Sequence, residues 1–155
     1  MLNNAYDKLI SKVSLINDMM VEIYFAPTIA DSPVLPTIFR AHADLMEAGW
    51  ANYGHLTNNR SKAVYAVLDQ KIVGFMTYDF QDDIWKTCWV YLSFVDPNFR
   101  QNGIFKVLHK HLEDQAQKNG SRKICSLVHT DNQPMIASGI SVGRYPNYLR
   151  TEKKL

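Results

Sequence analysis

Apolar positions recur at two periods along this chain, and each change of period marks an element. Within residues 1–18, Leu9, Ile10, Val13, Leu15 and Ile16 are spaced as one face of a short N-terminal helix. Met20 to Phe25 reads as a strand, closed off by Pro27. Ser32-Pro33 then gives a helix N-cap with proline at the first helical position. Pro36 still falls among amides that lack helical partners, so it is tolerated. Ile38, His42, Leu45, Met46 and Gly49 continue at helical spacing, and this helix is predicted to end near Gly49.

Trp50 to Arg60 is irregular. Ala63 to Leu68 and Ile72 to Phe80 alternate as strands, joined at Asp69-Gln70-Lys71 in an antiparallel hairpin. Gln81-Asp82-Asp83 makes a second turn, and Ile84 to Val95 is a third strand-like run, stopped by Asp96-Pro97. Gly103 to Lys118 carries Ile104, Phe105, Leu108, Leu112 and Ala116 on one helix face, with Gly120 suited to the position past its end. His109, Lys110 and His111 are expected mostly on the wet face of that helix. Ile124 to Val128 is a short strand, Asp131 or Asn132 caps a short helix before Gly143, and Tyr145 to Thr151 adds a last strand. The crossover after the third run is long enough to make the following strand parallel to it. A mixed sheet of this kind opens where neighbouring strands part, and ligands bind at such breaks.

Composition narrows the picture. No repeat or linker divides the 155 residues, so one domain over 1–155 is expected, with 1–18 as its helical extension. An apolar fraction of 46% against 21% charged residues belongs to a folded globular chain. Seventeen basic and fifteen acidic residues leave +2, which argues against a nucleic-acid partner. No run of about 18 apolar residues predicts a membrane span. Met1 to Lys8 has neither a basic nor an apolar leader region, so a cytoplasmic protein is expected. Cys88 and Cys125 lie in apolar, strand-like surroundings and are expected to be reduced, buried thiols. With five scattered histidines they show no zinc spacing, and no metal is expected.

The chemistry concentrates in Val95 to Phe105. A strand ends at Val95, Pro97 forbids continuation of the ladder, and Gly103 opens a helix whose first amides lack intrahelical partners. Those amides, the positive end of the helix dipole and the charge of Arg100 suit a phosphate or pyrophosphate. The same residues also fit an ordinary solvated turn.

Three motifs in order resemble the GNAT-type acetyltransferases over residues 20–150. Val95-x-Pro97-x-x-Arg100-x-x-Gly103-Ile104 is similar to the family pattern V-x-P-x-x-R-x-x-G-x-(G/A), with Phe105 in the last place. Val128-His129-Thr130-Asp131-Asn132 resembles the V-x-x-x-N strand end, and the interval from Asn132 to Gly143 resembles the helix leading to a late glycine. The resemblance implies an α/β (α+β) fold with a mixed, mostly antiparallel sheet of about six strands flanked by helices. It implies acetyl-CoA as co-substrate and direct acetyl transfer to an amine, on a small molecule or a protein, by a monomer or homodimer. Main-chain groups of Val95 would bond the pantetheine, and the amides of Arg100, Gln101, Asn102, Gly103, Ile104 and Phe105 would wrap the pyrophosphate. Asn132 would lie beside the pantetheine or thiol end. Phe105 is expected to turn toward the core, where its spacing with Leu108 and Leu112 places it.

The proton-transfer groups are less plain. Where many members of the family place an acidic tyrosine, seven residues after the asparagine, this chain has Gly139. Tyr145 stands six residues further on, either as a replacement or as a packed aromatic. Tyr91 either orders a water at the acceptor or packs in its strand, and His129 is a further candidate base. Trp50, Tyr53 and His55 either line an acceptor pocket or close the core, and Glu22 and Glu47 would have to reach across from the other half. A catalytically degenerate member, keeping the fold as a binding or interaction module, is the alternative.

Overall fold

Asp69 and Gln70 both adopt positive φ, 47° and 64°, the pair of angles a two-residue hairpin requires, and they close Leu68 onto Lys71. In this computed structural model, which describes residues 7–51, 57–147 and Lys153, that hairpin joins β3 (Lys62–Leu68) to β4 (Lys71–Phe80). The remaining elements are β1 (Lys8–Ser14), β2 (Met20–Ala26), α1 (Leu35–Glu47), β5 (Cys88–Val95), α2 (Ile104–Lys118), β6 (Ile124–Ser126) and α3 (Gln133–Ser141). A single 3₁₀ turn, Pro97–Phe99, lies between β5 and α2. The six strands form one sheet in chain order, antiparallel throughout except for the parallel pair β5–β6. The expected mixed, mostly antiparallel sheet flanked by helices is thus present.

Two apolar cores sit on opposite faces of this sheet. On one, Ile38 and Ala41 of α1 pack with Tyr65, Phe75 and Leu92. On the other, Ile104, Leu108 and Leu112 of α2 pack with Val64, Met76 and Tyr78. Gly74 permits the close approach of α2, since a Cβ there would stand 3.0 Å from the Phe94 carbonyl, 3.1 Å from Ile104 and 3.2 Å from Leu108.

Several sequence expectations are corrected. Lys8–Ser14 is a strand and not part of a helix. Ile10 is an extra residue between Leu9, opposite Tyr24, and Ser11, opposite Ile23. This bulge puts Ile10 and Val13, three residues apart, against the same core and so imitates helical spacing. The third run starts at Cys88 rather than Ile84, because Asp83 accepts from the amides of Trp85 and Thr87 and holds a turn there. Helix α1 begins at Leu35 with Pro36 in its first turn; Ser32 Oγ accepts instead from Val34 N at 3.3 Å, ahead of the helix. Residues 145–147 form no strand, and 148–151 lie outside the described residues. His109 is buried, not solvated: it sits beside Leu108 on the side of α2 that meets Arg144. The α2 C-terminus is as expected, with Gly120 at φ 76° donating to Gln117 O.

Candidate active site

The two parallel strands pair only briefly. Cys88, Trp89 and Val90 lie opposite Ile124, Cys125 and Ser126, and β6 stops there while β5 continues to Val95. The neighbouring ladder also changes at this point. Val90 lies opposite Tyr78 and Leu92 opposite Thr77, which leaves Tyr91 as an unpaired bulge residue. Thr77 Oγ1 accepts the Leu92 N–H at 3.2 Å and so completes the distorted ladder. The bulge reverses the alternation of β5. Cys88 and Val90 face the α2 core, whereas Leu92 and Phe94 face α1. A cleft of about 60 Å³ opens between the parting strands, lined by Trp50, Tyr91, His129, Asn132 and Arg144 among others.

The turn after β5 is held from several directions. Asp96 accepts from Asn98 N at 3.0 Å and from Lys71 Nζ at 2.8 Å, and the lysine holds its carboxyl below the usual range. Arg100 folds back, its Nε donating to the Val95 carbonyl at 3.0 Å. Asn102 Nδ2 donates to the carbonyls of Phe99 and Arg100, while its Oδ1 accepts from Asn17 Nδ2 at 2.7 Å. Gln101 at φ 63° and Gly103 at φ 87° then turn the chain into α2. Gly103 is the N-cap and supplies no side-chain hydrogen bond, so the first α2 amides keep their donors for an anion. Phe105 turns away from this turn as expected, packing against the α2 core with its ring stacked on His109 at 6.2 Å.

Of the other sequence candidates, Asn132 caps α3, its Oδ1 accepting from Met135 N at 3.3 Å, and it lines the cleft. His129 also lines the cleft, stacked on Trp50 with ring centroids 6.3 Å apart. Its Nδ1 lies 3.1 Å from Asp131 N and 3.9 Å from Asp131 Oδ2, so that nitrogen is engaged by the turn. Tyr145 is 76% exposed and is not brought to the cleft. Glu22 is engaged by Lys12 at 2.8 Å and by the Tyr24 hydroxyl at 3.0 Å, and Glu47 is exposed at the end of α1. Tyr53 and His55 lie outside the described residues. Both cysteines are free: Cys88 is buried, with its thiol pushed up to about 12 by that burial, and Cys125 is half-buried.

Two groups escaped the sequence reading. Asp79, on β4, interacts with the Tyr91 hydroxyl and accepts from Ser61 Oγ at 2.8 Å. Burial first, and the Asp79 charge second, raise the Tyr91 phenol above its ordinary range. The second group is Arg144, whose Nε donates to His109 Nε2 at 3.0 Å and whose Nη1 donates to Ser126 Oγ at 3.0 Å. Burial, followed by the nearby guanidinium, lowers His109 to about 4 and keeps it neutral. Among the described residues no group of His, Cys, Asp and Glu could hold a metal ion, and no helix is long and apolar enough to cross a membrane.

Comparison with known proteins agrees with this geometry. The model of the acetyltransferase (GNAT) family matches residues 19–138. No curated protein sequence matches the chain. An aminoglycoside acetyltransferase from an uncultured soil metagenomic sample, solved with trehalose, is similar in fold, with a TM-score of 0.68 at 18% identity over 87% of this chain and 96% of that one. The ribosomal-protein-alanine N-acetyltransferase of Brucella melitensis biovar Abortus 2308 gives 0.64 at 17% identity over 87% and 99%. The aminoglycoside N-acetyltransferase AAC(6')-Iy, solved in complex with CoA, gives 0.60 at 17% identity over 86% and 99%. A match across most of the chain, on a sheet that parts beside an uncapped helix start, places the chain in the acetyltransferase (GNAT) family as an N-acetyltransferase with acetyl-CoA as co-substrate.

Proposed function

We propose that this protein acetylates the amine of a small molecule by direct transfer from acetyl-CoA held between β5 and β6. The observation that carries the reading is the parting of the strands after Val90 and Ser126, next to the uncapped start of α2. In this reading the pyrophosphate lies on the amides from Arg100 to Phe105, and the pantetheine runs along Val95 toward Asn132. The thioester then sits near the Tyr91 bulge. A small-molecule acceptor is supported by the aminoglycoside acetyltransferases among its structural relatives.

Attack needs a neutral amine, because an ammonium has no lone pair for the carbonyl carbon. Tyr91 is assigned to order a water that takes the amine proton, with Asp79 as the negative charge favouring that transfer. His129 is assigned to the cleft wall, since its ring stacks on Trp50 and its Nδ1 is engaged by the Asp131 turn. Most of the acceleration would come from holding the amine and thioester in attacking geometry.

The test is calorimetry with acetyl-CoA on the wild-type protein and on Gly103→Trp, followed by release of CoA thiol with a panel of aminoglycosides and polyamines. The wild type should bind at micromolar level and the variant far more weakly, because a side chain at φ 87° strains the turn that presents the amides. Binding no tighter than millimolar in both proteins would refute the cofactor site. Binding without thiol release on any amine would refute the acceptor class.

A further inference from the structure

Arg144 owes its place to the way α3 ends. Gly143, at φ 83°, reverses the chain so that its N–H reaches Ile140 O at 3.0 Å and the Arg144 N–H reaches Gly139 O at 3.0 Å. A helix closed by this pair of bonds brings the residue after the glycine against the one whose carbonyl it bonds. A Cβ on Gly139 would stand 3.7 Å from Arg144 Cβ and 3.8 Å from its Cδ. The arginine stem therefore covers the helix face that a side chain at 139 would occupy.

The guanidinium is pinned at the vertex of the cleft. Ser126, which accepts from Nη1, is opposite Val90 in the last pair before the strands part. His109 accepts from Nε on the other side, and its Nδ1 lies 3.4 Å from Glu113 Oε1. The remaining nitrogen, Nη2, is buried without a partner. Leaving such a donor unpaired is destabilising, and a bound acceptor that meets it removes that cost. Among the described residues lining the cleft, Arg144 is the one with a permanent positive charge.

Building on the acetyl-CoA reading above, we propose that Arg144 stabilises the coenzyme A thiolate as it leaves, in place of an acid at position 139. In that step the amine nitrogen bonds to the carbonyl carbon, the carbon–sulfur bond breaks, and the sulfur keeps the electron pair. The amine proton passes to water. Arg144 keeps its own protons and donates Nη2–H to the sulfur, which takes a proton from solvent on release. The products are the N-acetylated amine and CoA thiol. His109 is a positioning residue, holding the guanidinium through Nε2 without touching the reacting atoms.

The test reads the ionisation of the CoA thiol on the protein and needs no acceptor. CoA, with desulfo-CoA as the blank, is titrated by its ultraviolet thiolate band when bound to wild type, R144Q and R144K. An opposite charge at contact lowers an acid by about 1–3 units. Bound CoA should therefore hold about tenfold or more thiolate at a given pH in the wild type than in R144Q, with R144K between them. With a turned-over amine, R144Q should lose about 10²–10³-fold in kcat, as removal of a charge-stabilising donor does, with little change in KM for acetyl-CoA. Equal thiol ionisation in wild type and R144Q would overturn the role of Arg144 and leave the cofactor site standing. Should R144Q not fold, the wild type decides alone: a bound thiol no more acidic than free CoA overturns the proposal. No binding of CoA to the wild type would instead remove the acetyl-CoA reading on which it rests.

Discussion

Gly139 and Arg144 share one hydrogen bond and one surface: the Arg144 amide closes α3 on the Gly139 carbonyl, and the Arg144 stem lies over the bare Cα of Gly139. The carbonyl of residue 139 is half of what places the arginine. The backbone of Gly139 is helical, so nothing in its dihedral angles demands glycine.

A methyl group at 139 fits and a ring does not. Gly139→Ala places its Cβ at ordinary contact distance from the arginine and lowers the entropy of the unfolded chain. It should stabilise the protein by about 0.5–1 kcal/mol and leave CoA binding unchanged. Gly139→Tyr puts a ring where the arginine stem lies and should displace the guanidinium from His109 and Ser126. Denaturant titration of both variants checks this, and a destabilised alanine variant would show that the site needs glycine for another reason.

Acid should weaken the fold through His109. Burial and Arg144 hold this ring neutral down to about 4, whereas an unfolded histidine titrates near 6.5. Between those values the unfolded chain binds more protons, so stability rises with pH across the window. The contribution is complete above about 6.5 and is lost as pH falls toward 4, a change of about 3 kcal/mol at roughly 1.4 kcal/mol per unit. His109→Gln keeps an acceptor within reach of Arg144 and removes the titration. Urea melts from pH 4 to 7 should show a flatter profile for the variant; parallel profiles would rule out His109 as the source.

How far the site was legible in the sequence follows from how local each part is. The turn from Val95 to Gly103 is built within ten residues, so proline, glycine and the end of an apolar run announced it. The hairpin at Asp69-Gln70 and the Asn132 cap are equally local. Strand β1 misled because one bulge at Ile10 shifted its alternation onto a helical spacing. Arg144 was invisible because its partners lie 18 and 35 residues away, at Ser126 and His109. The signal was present in Gly139, Gly143 and the residue after it, but only the closing geometry of α3 joins them. Asp79 was missed for the same reason, since it meets Tyr91 only through the pairing of β4 with β5 and the bulge in it.

The bulge that opens the cleft should depend on Thr77. Its hydroxyl is buried and accepts the Leu92 N–H that the distorted ladder would otherwise leave unpaired. Thr77→Val has nearly the same shape and removes that acceptor. The expected cost is about 1–3 kcal/mol, the penalty of an unsatisfied buried donor. CoA affinity should fall as well, because Tyr91 and Leu92 line the cleft. Denaturation and calorimetry on one sample check both, and unchanged values would mean that another group satisfies Leu92.

Tyr91→Phe separates proton relay from packing. The ring stands at the bulge and lines the cleft, and phenylalanine keeps that shape while deleting the hydroxyl that meets Asp79 and Gln81. Acetyl-CoA binding should be unaffected, since the pyrophosphate amides lie in a different segment. With a turned-over amine, kcat should fall by about 10²-fold, the lower range for loss of a proton-transfer group. The loss should shrink as pH rises, because more of the amine then arrives neutral and needs no water to deprotonate it. A variant as active as the wild type at every pH would assign Tyr91 to packing alone. A uniform loss at every pH would assign its hydroxyl to orienting the substrate rather than to moving the proton.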